Sequence, residues 1–335
     1  MRVWPLGVVG GLTAAFLFFM PSRASEPRTL ALESSPVKFS VNDPSETRAG
    51  RFIWRGTIRL TSKDPDFGGL SGLVISQDGQ RFLAITDAAH WVTGNLQYDK
   101  GRLSGVTGST IVPMLDANGQ IMSGKQGDAE GLDTVAPYDI DGPVFVSFEG
   151  RHRVWKYAPF EGGQRKVIAD IALPPAATAL PENGGIEALA ALSKDELLAI
   201  AEFGVDASGV LPAWMVPIDG SPAMDIAVLP KRPFAVTDVK LGPDQMLYTV
   251  ERHFSRQTGV AIRLRRAPSG EAISGKRVAG EELALMGMSF VIDNFEAIAV
   301  RKTPEGRTLI YLASDDNFAA PVQQTLIMML EVAED

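Results

Sequence analysis

The 335-residue sequence contains no cysteine. That excludes a thiol nucleophile, thiolate-ligated zinc or iron–sulfur, and any disulfide. An excess of positive charge is also missing. The formal net charge is −8, which argues against a polyanion-binding surface and a nucleic-acid partner and fits a cation-rich site better. No helix-length apolar periodicity appears. The stretch Gly280 to Met288 is too short to distinguish from a strand. Gly-x-Ser-x-Gly and His-Glu-x-x-His are absent, so neither an α/β-hydrolase elbow nor a zincin helix is present. Two glycine–lysine spacings, Gly119 to Lys125 and Gly270 to Lys276, imitate a phosphate loop. Gln126 and Arg277 stand where Ser or Thr must follow, so both are decoys.

The chain does have 33 glycines and 22 prolines, spread evenly, which favours many turns and short strands. Its N-terminus carries Arg2, an apolar run from Leu6 to Met20, and Ser22-Arg23-Ala24. This is a secretory signal pattern with a cut expected after Ala24. The expectation is a periplasmic or secreted protein with no integral membrane span after cleavage. No cysteine follows to take a lipid anchor. Residues 25–50 are polar and proline-containing and are expected to form a leader or linker, with one domain over 51–335.

Five segments of that domain resemble one another: 69–87, 128–149, 184–202, 235–251 and 293–315. Each is an apolar strand, a turn with Gly, Pro, Asp or Lys, and a second strand closed by an acid. The closing acids are Asp87, Glu149, Glu202, Glu251 and Asp315. Two further strand-like runs follow each acid except the last, where only TLIMMLEV remains. The missing strand is available as FIWRGTIRL at 52–60. A four-stranded unit repeated in a ring, with the first strand completing the last unit, is an all-β β-propeller. Five blades are expected. Six is the alternative if 88–127 or 270–292 forms a blade, and a β-sandwich is the competing architecture.

The segments SGLVISQDGQRFLAITD, DAEGLDTV with VSFEGRHRVWKY, GGIEALAAL, NFEAIAV and YLASDDNF resemble the esterase-like/phytase-like domain family of exported bacterial proteins, over roughly residues 65–330. The resemblance implies ester or phosphoester hydrolysis in a propeller.

In a blade, the start of the first strand and the end of the second share one face. Two acid-bearing rings therefore meet at one mouth. Strand starts supply Asp128 with Glu130, Glu187, Asp238, and Asp293 with Glu296, Ser71 holding the place in the first unit. Strand ends supply the closing acids, with Asp316 beside Asp315. So many carboxylates need compensation. A hard divalent ion with oxygen ligands, Ca²⁺, would provide it, with Asp87, Asp128, Glu130, Glu296 and Asp315 as ligands. Arg151 and Arg252, just beyond two of the acids, would provide it by pairing and would stabilise a transferring group. The three histidines, His90, His152 and His253, follow their acids by two or three residues. Glu149 or Glu187 is the expected general base, and His152 or His253 the expected proton donor to the leaving group. The substrate would be a small-molecule ester or phosphoester, with a lactonase-like calcium propeller as a variant. The alternative is a non-catalytic ligand- or protein-binding propeller of the cell envelope, in which these acids cap backbone N–H groups at strand ends.

Overall fold

Alternating apolar runs broken by Gly, Asp and Pro turns form five sheets, each with four antiparallel strands at its centre, seen in a computed structural model that describes residues 26–135, 138–273 and 277–333. The expected signal segment lies outside the described residues. The first blade comprises Leu70–Ile75, Arg81–Thr86, His90–Asp99 and Arg102–Pro113. The second is Ala129–Thr134, Val144–Phe148, Arg153–Tyr157 and Val167–Ile171. The third is Ile186–Ala191, Glu196–Ala201, Leu211–Pro217 and Met224–Val228. The fourth is Ala235–Leu241, Met246–Ser255, Gly259–Pro268 and Glu281–Met286. The fifth is Asn294–Lys302, Thr308–Asp315, Thr325–Val332 and, from the other end of the chain, Phe52–Ser62. Each inner strand touches the inner strands of both neighbouring blades, so the ring closes. The protein is a five-bladed propeller, and the stretch from Gly280 to Met288 contains the strand Glu281–Met286.

Inner strands are covered on both sides, which is why Leu70–Ile75 and Ile186–Ala191 are buried at every residue. Two glycines allow the close approach between them. A Cβ on Gly72 would stand 2.6 Å from Leu132 Cβ, and one on Gly131 would stand 2.8 Å from Leu189 Cβ. Closure uses register as well as composition. Thr325 pairs with Leu60, Ile327 with Ile58 and Val332 with Phe52. The apolar faces so joined merge with the cores of the blades on either side.

Of residues 25–50, expected as a leader or linker, the described part contributes three short strands to the sheets. Leu32–Val37 adds a fifth strand beside Phe52–Ser62, and Arg28–Thr29 pairs with the outer strand of the first blade. The polar composition reflects an edge position, where only alternate side chains are covered. Buried Phe39 stacks on Trp54 at 5.4 Å and fastens the segment. Among the described residues, no helix is long and apolar enough to cross a membrane.

Below the mouth, a buried charge cluster ties the inner strands together. Lys240 Nζ lies 2.6 Å from Asp238 Oδ1 and donates to Leu189 O of the third blade. Asp238 Oδ2 accepts from Ile298 N of the fifth blade, and Asp133 Oδ2 accepts from Ala191 N of the third. Burial raises Asp238 to about 7 and Asp133 to about 6, against the pull of Lys240.

Candidate functional site at the propeller mouth

Every inner strand carries a β-bulge near its start. Leu70 faces Thr86 while Gly72 faces Ile85. The same one-residue insertion falls between Ile186 and Ala188, Val236 and Asp238, and Phe295 and Ala297. In the second blade, Ala129 and Leu132 flank it. A bulge re-aims the extra side chain. The five re-aimed positions are Ser71, Glu130, Glu187, Thr237 and Glu296, one per blade.

Register also defines the second ring. The residues facing the position before each bulge are Thr86, Phe148, Ala201, Glu251 and Ser314. The next residue along the chain is then Asp87, Glu149, Glu202, Arg252 and Asp315. The fourth blade therefore presents an arginine where the others present an acid. Glu251, expected in this ring, faces away. It is 1% exposed and bound by Arg265 at 2.7 Å and Arg263 at 3.6 Å. Asp238, expected in the first ring, likewise lies one residue past it, in the buried cluster with Lys240.

Carboxylates and one guanidinium converge at this mouth. Asp128, Glu130 and Glu149 bring one ligand oxygen each to within 4.8 Å of one another. Glu149, Glu187 and Glu202 do the same, so Glu149 belongs to both groups. Glu149 Oε1 accepts from the N–H groups of Gly184 and Gly185 at 2.5 and 2.6 Å. Arg252 Nη2 lies 3.5 Å from both Glu202 and Glu296. Asn294 Nδ2 bridges Glu296 at 2.9 Å and Asp315 at 3.3 Å. Asp87 Oδ1 is buried with no partner among the described residues.

Burial and like charge hold these groups far from ordinary carboxylate behaviour. Desolvation, then Glu187 and Glu296, push Glu130 well up. Desolvation, then Glu202, Glu296 and Glu149, do the same to Glu187. Glu296 is raised to about 8 by desolvation and Asp315, against Arg252. Glu202 rises to about 7 by desolvation, Arg252 opposing, and Asp87 to about 7 by desolvation with Asp315 and Asp128. Asp315 is raised to about 6, and Asp128 is raised too, both chiefly by desolvation.

A stability consequence follows with a definite sign. Groups whose folded pKa lies above the unfolded value stabilise the fold fully below the unfolded value, and lose that contribution as pH rises through the folded one. The metal-free protein is therefore expected to melt higher at pH 5 than at pH 8, by roughly 5 °C or more. Scanning calorimetry in EDTA checks this. A melting temperature that rises over that interval contradicts the crowded-carboxylate mouth.

Other expected site residues lie elsewhere. His152 Nε2 is within hydrogen-bond distance of the carbonyls of Leu180 and Pro181. Its Nδ1 faces Gly185, where a Cβ would stand 2.8 Å away. The ring thus backs the Gly184–Gly185 loop that holds Glu149. His253 packs on Phe234 at 5.5 Å, and His90 lies 3.8 Å from Asp66. Arg151 is exposed and lines a groove outside the second blade. Ser71 and Thr237 donate to the carbonyls of Ala129 and Phe295 in the next blade, so these hydroxyls tie blades together. Asp293 and Asp316 accept from Gln324 N and Gly69 N, as strand-end caps do.

Comparison with known proteins adds a family. A family model described as "Phytase-like: Esterase-like activity of phytase" matches residues 65–318. The silver exporting P-type ATPase of Salmonella typhimurium is 45% identical over 58 residues, which is 16% of this chain and 7% of that protein. Among solved structures, Myxococcus xanthus glutaminyl cyclase aligns with 92% of this chain and 97% of its own, at 11% identity and TM-score 0.43. The catalytic domain of the Coprinopsis cinerea GH62 α-L-arabinofuranosidase aligns with 85% of this chain and 99% of its own, at 9% identity and TM-score 0.48.

Proposed function

The chain belongs to the phytase-like family, and from the geometry of its mouth we propose that it hydrolyses a small phosphoester or related ester there with the help of a divalent cation, Ca²⁺. The observation that carries this reading is the sharing of Glu149 between two three-carboxylate groups, beside a single guanidinium.

The residues fit such an ion. All donors are carboxylate oxygens, the set a hard cation takes. Glu187 is 8% exposed and accepts no hydrogen bond from an N–H or O–H donor among the described residues outside the carboxylate group itself. Asp128, Glu130 and Glu149 would hold the ion. When bound, it would neutralise negative charge and polarise the ester oxygen.

The chain's own groups would do the rest. Arg252, between Glu202 and Glu296, reaches into the mouth and would bind the anionic group under attack. Glu187, whose raised pKa a cation bound beside Glu149 would lower, would take a proton from the attacking water as the new O–P or O–C bond forms. Glu296, raised to about 8 and so protonated at neutral pH, would give its proton to the leaving oxygen as the old bond breaks. Gly185 has no Cβ, which lets Glu149 and His152 pack against its loop; a Cβ there would stand 2.8 Å from His152 Nδ1 and 3.0 Å from Glu149 Cγ. The N-terminal signal pattern supports the reading that this activity operates in the periplasm or the medium.

One observation favours the second reading, a binding propeller. Arg151 and the histidines turn away, so among the described residues the mouth has one cationic side chain, already shared by two carboxylates. Turnover of p-nitrophenyl phosphate against p-nitrophenyl acetate, with EDTA and with calcium, separates the two. Hydrolysis abolished by EDTA and restored by calcium is expected. With calcium at 100 times Kd, the fold should also gain about 2.7 kcal/mol. Stabilisation by calcium without turnover of either ester would make the protein a binder.

A further inference from the structure

Two exposed phenylalanines stand beside the acids of the mouth. Phe203 follows Glu202 directly and is 50% exposed, and Phe318 lies two residues after Asp316 and is 45% exposed. Each ring lies on a glycine just before an inner strand. A Cβ on Gly184 would stand 2.8 Å from Phe203 Cδ2, and one on Gly69 would stand 2.8 Å from Phe318 Cε2. Both glycines touch mouth acids. Gly184 N donates to Glu149, the carboxylate common to the two three-membered groups. The same Cβ on Gly69 would stand 2.1 Å from Asp87 Oδ1. Phe203 therefore flanks the junction of the second and third blades, and Phe318 that of the fifth and first.

A single exposed ring is ordinary. Phe318 differs in how it is held. Asn317 and Phe318 have consecutive positive φ angles, +48° and +49°. A residue with a Cβ keeps that left-handed backbone only where its surroundings impose it. Asp315 Oδ1 accepts from Asn317 N at 2.6 Å, and Asp316 Oδ1 accepts from Phe318 N at 3.2 Å and from Gly69 N at 3.0 Å. The acids at the strand end thus fix the ring beside Asp87. Around the rings the mouth offers carboxylates and, among the described residues, one guanidinium, already shared by Glu202 and Glu296. A ligand with several phosphates finds no matching set of cations there. A ligand with one ester or anionic head and a flat apolar body does match. The body can stack on a phenyl face or meet its edge, while a few polar groups fix the head.

We infer that Phe203 and Phe318 are specificity-determining residues that hold a flat apolar group of the substrate, so that the ester is one of an aromatic or similarly flat alcohol carrying a single head group. For the head group this rests on the hydrolytic reading above.

Calorimetric binding of phenylphosphonate and methylphosphonate to the full chain in calcium is the test. Neither compound has an ester bond to cleave, so the result does not depend on turnover. Phenylphosphonate is expected to bind at least tenfold more tightly. Phe203→Ala and Phe318→Ala are each expected to reduce that preference at least threefold and to leave the affinity for methylphosphonate unchanged. Both side chains are half exposed, so equal melting verifies the fold. Phe203→Leu and Phe318→Leu keep apolar bulk without a flat face and are expected to lose the preference too. Equal binding of the two phosphonates, no binding of phenylphosphonate, or a preference that all four variants retain would overturn the inference. Preferential phenylphosphonate binding without turnover of p-nitrophenyl phosphate or p-nitrophenyl acetate would uphold the aromatic contact and refute the hydrolytic reading. Turnover without the preference would do the reverse.

Discussion

Deleting residues 52–62 is expected to abolish cooperative folding. The strand is hydrogen-bonded on both sides, to Thr325–Val332 and to Leu32–Val37. Its removal strips the fifth blade of two strands, since Leu32–Val37 then has no partner. It also exposes Ile327, Met328 and Leu330, all at most slightly accessible in the intact ring. Burying one such side chain contributes roughly 1.5–3 kcal/mol, and a domain's whole margin is about 5–15 kcal/mol. Losing several of these contacts consumes that margin. The truncated protein should aggregate or show no melting transition. A truncation that melts like the parent would show that the ring does not depend on its velcro-like closure.

Glu187→Gln is expected to fold and to lose hydrolysis tenfold or more, about 1.4 kcal/mol of transition-state stabilisation. Gln matches Glu in shape, and the change removes one charge from a crowded group. Metal-free stability at pH 8 should therefore hold or rise, because Glu187 is held far above its ordinary pKa by Glu202, Glu296, Glu149 and burial. This direction separates a working group from a strand-end cap, whose loss would destabilise. The control is Asp141→Asn, in the hairpin at the opposite face, where Asp141 pairs with Arg81 at the surface. Such exposed pairs contribute about 0–1 kcal/mol, so activity should be retained. Equal loss of activity in both variants would contradict the assignment of Glu187 to the mouth.

Much of this architecture is legible in the sequence. The repeat, its closing acids and the completion by residues 52–60 follow from short apolar strands between turn residues, because those patterns are local. Glu130, Glu187 and Glu296 are legible as acids at inner-strand starts, while the bulges that re-aim them are a matter of pairing. What is not legible is register. A slip of one residue sends a strand side chain to the other face, and in the fourth blade that slip exchanges Glu251 for Arg252 and Asp238 for Thr237. Arg252, expected just beyond the acid ring as a compensating cation, is itself the fourth blade's ring member. The histidines fail for a related reason. Their equal spacing after the acids fixes the loop but not the direction of the ring, and His253 turns to Phe234 while His152 turns to a carbonyl pair. Residues 28–37 escape because edge strands cover only alternate side chains and keep a polar composition.

The central claim is that Asp128, Glu130 and Glu149 hold a cation in the field of the neighbouring mouth carboxylates, Glu187 and Glu202 among them. Calorimetric titration of Ca²⁺ into metal-free protein tests it most directly, with the wild type, Glu187→Gln and Asp141→Asn side by side. The account predicts saturable binding by the wild type and by Asp141→Asn, and affinity at least tenfold lower, about 1.4 kcal/mol, for Glu187→Gln. A wild type that takes up no calcium, or a Glu187→Gln variant that binds it as the wild type does, would contradict the account.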